Sequence, residues 1–441
     1  MKITRVFLAA ILAFFFTPGR SFSGQLELED FVESALEKNH SIKGARQGVL
    51  SAYGESMEAY GNFFPSLSAS FRGTYTDTVP ELDFAMPVWA DPDTGELLYE
   101  EIAMEMGQDK SYGLQLQLRQ PVFTFGLVSK GYTASAHGHE IEKLSYQLRR
   151  DVFETEITKL FYGVLLAQEM LDTAKKQKAL MEENLETTKA FFEAGKVSNL
   201  DVNRVRSHCL EAKSGVKKAQ SSLDQSRASL FSMAVIEDTG QKLKGDLKHV
   251  EHDLDLEEVL EHAMDLRKEL EIARRSVRIA EKQRDIELAQ NLPHLYGFAS
   301  YSYERPDQSM QDEWGGSLVV GGMIEMSLPP FSVPGQMKKV NARLKEAQAG
   351  AEDQKRKIKL QVKNSYRNLS FLHKRVSIMR ENLHITGENL ETASRQYDRG
   401  RITNIELNEA ILDYTSARRE YASALYDYIV GLEEMLLAAG K

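Results

Sequence analysis

Few residues in this chain are spaced for chemistry, and each candidate has a plainer reading. His137 and His139 stand two apart in a helical stretch, a spacing that turns two imidazoles to different faces. They predict solvated histidines rather than a metal site. Met104 and Met106 carry thioethers of the kind that bind copper, but lone methionines more often fill space. Cys209 is the single cysteine. It falls on an apolar heptad seam, where a small buried hydrophobe is expected rather than a reactive thiol. No nucleophile motif, phosphate loop or paired metal-ligand spacing is present. The chain therefore reads as no enzyme, with no cofactor and no metal.

The elements must carry the function instead. Residues 1–23 read as a secretory signal peptide. Lys2 and Arg5 form its positive end, Val6 to Phe16 its apolar run, and Ser21-Phe22-Ser23 its small-residue cleavage region. Removal of Lys2, Arg5 and Arg20 takes the net charge from -10 to -13, which argues against a nucleic-acid partner. After residue 24 no apolar run is long enough for a transmembrane helix. An exported chain of this kind is periplasmic, secreted, or part of an outer-membrane barrel.

The remainder is written twice. Leu26-Glu27-Leu28-Glu29-Asp30 recurs 228 positions later as Leu254-Asp255-Leu256-Glu257-Glu258, and Ala35, Pro65 and Tyr75 recur as Ala263, Pro293 and Tyr303. Further on the offset is 205, pairing Leu185-Glu186-Thr187 with Leu390-Glu391-Thr392 and Gly195 with Gly400. This predicts a first repeat over 24–233, a linker over 234–253 and a second repeat over 254–441.

Each repeat ends in helices. Val202, Cys209, Val216, Leu223 and Leu230 occupy one heptad position, with Val205, Ala212, Ala219, Ser226 and Met233 three later. Leu407, Tyr414, Tyr421, Tyr428 and Met435 repeat the register, with Ala410, Ala417, Ala424 and Gly431. Sustained heptads with small residues predict closely packed coiled-coil helices. Proline-free stretches over 128–193 and 336–398 predict helices about 100 Å long. Each long helix stops at a glycine, Gly195 or Gly400, and the next starts at Ser198 or Thr403 as N-cap. So each repeat closes in a long helical hairpin with its tip near 195 or near 400.

Each repeat also holds two strands. They are predicted over 66–76 and 111–121 in the first, and over 295–304 and 317–328 in the second. Leu67, Ala69, Phe71, Gly73 and Tyr75 alternate with Ser66, Ser68, Ser70, Arg72 and Thr74. Tyr112, Leu114, Leu116 and Leu118 alternate with Gly113, Gln115 and Gln117. This is the length and period of a transmembrane β-strand. Asp77 to Asp109 carries ten carboxylates and no Lys or Arg, and reads as an external loop. Four strands cannot close a barrel, and an open edge cannot face lipid. Two copies would give eight strands around a filled lumen and three would give twelve around an open one. A conduit favours the trimer. The competing reading, a periplasmic or surface coiled-coil scaffold without a pore, gives no reason for the alternation.

Three motifs now carry a resemblance. Gly113-Leu114-Gln115-Leu116-Gln117-Leu118-Arg119-Gln120-Pro121-Val122-Phe123-Thr124-Phe125-Gly126, Gly195-Lys196-Val197-Ser198-Asn199-Leu200-Asp201-Val202 and Gly400-Arg401-Ile402-Thr403-Asn404-Ile405-Glu406-Leu407 resemble the TolC-type outer-membrane efflux proteins in order, spacing and duplication. The resemblance implies an α+β membrane protein: a homotrimer with a 12-strand β-barrel in outer-membrane lipid above an α-helical coiled-coil barrel in the periplasm. It implies an exit duct of a tripartite efflux or type I secretion system. The partners would be a periplasmic adaptor (membrane fusion) protein and an inner-membrane pump or ABC exporter. The helical tip, with Gly195, Ser198, Gly400 and Thr403, would dock the adaptor. Glu406 and Glu409, three apart on one helix face, match acidic residues that ring the family's constriction; Asp201 is the first-repeat counterpart, and Tyr397 matches a tyrosine before the glycine. The sequence departs from the pattern in two places. Family members often have aspartates where Glu406 and Glu409 stand. Arg401 directly follows Gly400, whereas the family's gating arginine matches Ile402. Six crowded carboxylates in a trimer should raise some of their pKa values.

Overall fold

The computed structural model describes residues 25–90, 95, 97–105, 108–250, 255–307, 311–327 and 331–440. The expected signal peptide and Met106 lie outside them. The first half runs α1 (Leu28–Lys38), α2 (His40–Gly61), β1 (Ser66–Tyr75), β2 (Glu81–Ala90), β3 (Leu97–Glu105), β4 (Lys110–Phe123), α3 (Leu127–Glu193) and α4 (Asn199–Ala234). The second runs α5 (Leu256–Leu266), α6 (Lys268–Gln290), β5 (His294–Arg305), β6 (Gly315–Glu325), α7 (Val333–Asp398) and α8 (Asn404–Ala439). The order is the same except for β2 and β3. Those two strands pair antiparallel, Phe84 opposite Ile102 and Leu82 opposite Met104, inside the segment expected to be a loop. The last strand ends at Glu325, short of the expected 328.

The chain divides into two compact units. One joins Met1–Gln47, Ser145–Leu270 and Gln354–Lys441; the other joins Gly48–Leu144 and Glu271–Asp353. The boundaries cut across the duplication.

The second unit holds a four-stranded antiparallel sheet in the order β1-β4-β5-β6. Its register brings the apolar alternation of all four strands onto one face. Phe71 lies opposite Leu114, Leu114 opposite Tyr303, Leu116 opposite Tyr301, and Tyr301 opposite Leu318. The other face carries Ser68, Gln117 and Ser300 in line, with Gln115 Nε2 donating to Ser300 Oγ at 3.3 Å. The apolar face is uncovered: Phe71 is 69% and Val320 70% exposed.

The first unit holds the helical cores, and they show the duplication in three dimensions. Phe31, Ala35, Ile157, Leu230 and Ala234 pack in one core; their counterparts at the two offsets, Val259, Ala263, Val362, Met435 and Ala439, pack in another. The carbonyls that end the last helix of each half are satisfied in the same way. Asn39 Nδ2 donates to the Met233 carbonyl at 3.1 Å. Arg267, at the equivalent place, donates to the carbonyls of Leu437 and Ala438 at 3.3 and 2.9 Å. The heptad seams are buried at Val205, Cys209, Ala212 and Leu230, and at Leu407, Ala417, Ala424, Tyr428 and Met435. A Cβ on Gly431 would meet Leu372 Cδ1 at 2.6 Å, so this seam position requires the close approach that its small residues predict.

Candidate functional site

The residues expected to work together sit in or beside the two turns, α3 into α4 and α7 into α8. Both turns are built alike. Gly195 (φ 74°) and Gly400 (φ 66°) are left-handed. Gly195 N–H donates to the Phe192 carbonyl and Lys196 N–H to that of Phe191, both at 2.8 Å; Gly400 and Arg401 repeat this on Tyr397 and Gln396 at 2.8 and 2.9 Å. These are Schellman closures, in which glycine takes the left-handed position without a Cβ penalty. Apart from the chain neighbours, no atom among the described residues lies within 4 Å of a Cβ built on either glycine. The requirement is therefore one of backbone conformation, with open space beyond it.

Ser198 and Thr403 then cap the returning helices in full capping boxes. Asp201 Oδ2 accepts from Ser198 N at 3.1 Å and from Ser198 Oγ at 2.7 Å. Glu406 Oε2 accepts from Thr403 N at 2.7 Å and Thr403 Oγ1 at 2.8 Å. These bonds hold both carboxyls below the usual carboxylate range. The Ser198 hydroxyl is the largest cause at Asp201, and the Thr403 backbone N–H at Glu406. Within one chain the shift at Glu406 is thus opposite to the one expected from crowding, because the capping box acts first. Glu409 and Arg401 are exposed.

Tyr397 is 2% exposed. Its hydroxyl lies 2.9 Å from Thr188 Oγ1 on α3 and accepts from Asn404 Nδ2 on α8 at 3.1 Å. Asn404 Nδ2 also reaches Asn184 Oδ1 at 2.8 Å and Thr188 Oγ1 at 2.9 Å, and Asn184 Nδ2 donates to Asn408 Oδ1 at 3.3 Å. This buried network joins the two hairpins. Sequence reasoning missed Asn184, Thr188 and Asn404. The available signal was the repeat of Asn203 at Asn408 and the polar residues flanking the duplicated Leu-Glu-Thr. Around the network pack Met181, Cys209, Ala212, Leu407 and Ile411. Cys209 is buried with its thiol on the Met181 carbonyl, and burial pushes its pKa up, as an inert core residue requires. Beside the network lies a groove of about 400 Å³ lined by Leu180, Asn184, Leu390, Tyr397 and Tyr414. Leu200 and Ile405, equivalent in the two turns, are exposed apolar side chains.

The remaining candidates are held by other contacts. His139 packs on Tyr53 with ring centroids 5.3 Å apart. His137 is held below its ordinary value, first by burial and then by Arg275, Arg278 and Lys282, an environment that opposes a bound cation. Met104 lies in β3. Among the described residues no three His, Cys, Asp or Glu converge as a metal site, and no helix is long and apolar enough to cross a membrane.

Comparison with known proteins bears on the whole chain. The family model described as Outer membrane efflux protein matches residues 31–234 and 259–441. No curated protein matches. Among solved structures, the CmeC outer membrane channel of Campylobacter jejuni has a TM-score of 0.77 at 15% identity, covering 94% of this chain and 85% of that one. The outer membrane protein VceC of Vibrio cholerae has 0.74 at 15%, covering 94% and 96%. The open state of the MtrE outer membrane channel of Neisseria gonorrhoeae has 0.76 at 17%, covering 94% and 88%. At these identities the likeness is one of fold.

Proposed function

The chain belongs to the outer membrane efflux protein family, outer-membrane channels that extend into the periplasm, and we propose that it is the passive exit duct of a tripartite efflux or type I secretion system. The observation that carries this is the sheet. Its apolar alternation forms one continuous exposed face, and β1 and β6 are open edges. Open edges cannot face lipid. Pairing β6 of one copy with β1 of the next closes them, and three copies give a twelve-strand barrel with an open lumen. A coiled-coil scaffold has no use for such a face. A periplasmic adaptor and an inner-membrane pump or ABC exporter supply the energy and choose the cargo.

The gate is the helical tip. The Tyr397–Thr188–Asn404 network latches one hairpin of each chain to the other. Three copies of Glu406 and Glu409 ring the constriction, with Asp201 and Arg401 beside them, and their field favours cations. The adaptor docks on the two turns, at Gly195, Ser198, Gly400 and Thr403, where Leu200 and Ile405 offer apolar contact.

Mass measurement in detergent and single-channel recording test the reading together. Three chains and a cation-selective conductance are expected. The double change Glu406→Gln, Glu409→Gln should weaken selectivity and block by multivalent cations, since glutamine at the third helical position keeps the capping box. A stable dimer without conductance would overturn the duct. Wild-type selectivity in the double variant would remove the glutamates from the constriction.

A further inference from the structure

His249, between α4 and α5, meets His373 of α7 with Nε2 and Nδ1 3.0 Å apart. We propose that these two imidazoles form a chelating site for a late first-row divalent ion of tetragonal preference, Cu²⁺ foremost. The inference is independent of the duct reading.

The pair is held in place from outside. The Tyr428 ring of α8 packs on His249 at 4.6 Å between centroids and on His373 at 6.1 Å. The Tyr428 hydroxyl donates to the carbonyl of Val250 at 2.7 Å, fixing the backbone beside His249. Both imidazoles are partly exposed, so solvent and ions reach them. The duplicated architecture does not call for the pair: at the 205 offset, the first repeat has Gln168 where His373 stands and Leu223 where Tyr428 stands.

The spacing admits a chelate, and the affinity order favours copper. Imidazole nitrogens bind these metals at about 2.0–2.1 Å. At that reach, nitrogens 3.0 Å apart subtend roughly 94° at the metal, the cis angle of a square-planar or tetragonal site. Tetragonal nitrogen sites suit Cu²⁺ and Ni²⁺, and Cu²⁺ stands highest in the affinity order. With His373 as the donor of the hydrogen-bonded pair, its proton moves from Nδ1 to Nε2 when the ion enters. Neutral imidazoles then bind it without net proton release. A bound ion would clip the segment between the two repeats to α7.

The test uses the full chain in detergent, free of any polyhistidine tag and stripped with chelator, titrated with CuCl₂. Dialysis should find one Cu²⁺ per chain, with a two-nitrogen pattern in its paramagnetic resonance spectrum and at least about tenfold weaker Zn²⁺ binding. His373→Gln, which installs the first repeat's residue, and His249→Ala should each lower Cu²⁺ affinity at least about tenfold while leaving the metal-free melting temperature close to wild type. His384→Ala, at an exposed histidine beside Glu388, should change nothing. Equal Cu²⁺ binding by wild type and His373→Gln, or its loss in His384→Ala, would overturn the site. Should the paired variants fail to fold, the wild-type spectrum decides, and a one-nitrogen pattern rejects the chelate.

Discussion

Two carboxylates at the tip work first as helix caps. Asp201 and Glu406 each accept from the backbone N–H and hydroxyl of the residue three before, and both pKa values are depressed in the folded chain. A depressed carboxyl contributes stability above its unfolded pKa and loses it as pH falls through the folded one. Acid should therefore loosen the first turns of α4 and α8. Hydrogen exchange at Asp201 and Glu406 amides should speed up, relative to mid-helix amides, below the usual carboxylate range; uniform exchange along both helices would refute this. Tyr397→Phe removes the hydroxyl shared by Thr188 and Asn404 and should cost about 1 kcal/mol. If this network is the latch of the proposed gate, the variant should also conduct more in the closed state, read from single-channel recordings. The caps were legible in the sequence as Ser198 and Thr403 after glycine. The network was not, because Thr188 and Tyr397 are 209 positions apart and single polar residues on helix faces announce no partner.

At the scale of elements, α3, α4, α7 and α8 and the two first-repeat sheet strands were legible because each repeats one period for ten residues or more, while β5 and β6 alternate more weakly and were read through the duplication. The β2–β3 hairpin was not. Leu82, Phe84, Met86 and Val88 do alternate, but ten carboxylates between Asp77 and Asp109 outweigh the signal when composition is read first. The shift of the repeat offset from 228 to 205 was the better clue, since it marks an insertion in the first repeat. The second repeat joins β5 to β6 directly between Arg305 and Gly315, so the sheet does not need the hairpin. Replacing residues 78–108 by a connection of the second repeat's length should leave the heat-resistant oligomer on gels intact. Loss of the oligomer would make the hairpin part of the assembly.

At the scale of the whole molecule the sheet is where a pore and a scaffold make different predictions, and a single residue step separates its faces. Phe71 lies opposite Leu114 in mid-strand on the apolar face, and Ser70 lies opposite Gln115 on the polar one. If the apolar face meets lipid, an arginine there costs about 2–4 kcal/mol near the bilayer midplane, once in every copy of the proposed trimer. An arginine on the lumen face stays in water and adds positive charge to the conduit. Phe71→Arg should therefore lose the outer-membrane oligomer, read by fractionation and heat-modifiability. Ser70→Arg should keep it and lower cation selectivity in single-channel recordings. A soluble scaffold sheet would tolerate both changes, because both faces would then be wet. An inverted barrel would reverse them, with Ser70→Arg lost and Phe71→Arg retained. Only a lipid-facing apolar surface sensitive to Phe71→Arg alone fits three chains closed edge to edge around a lumen.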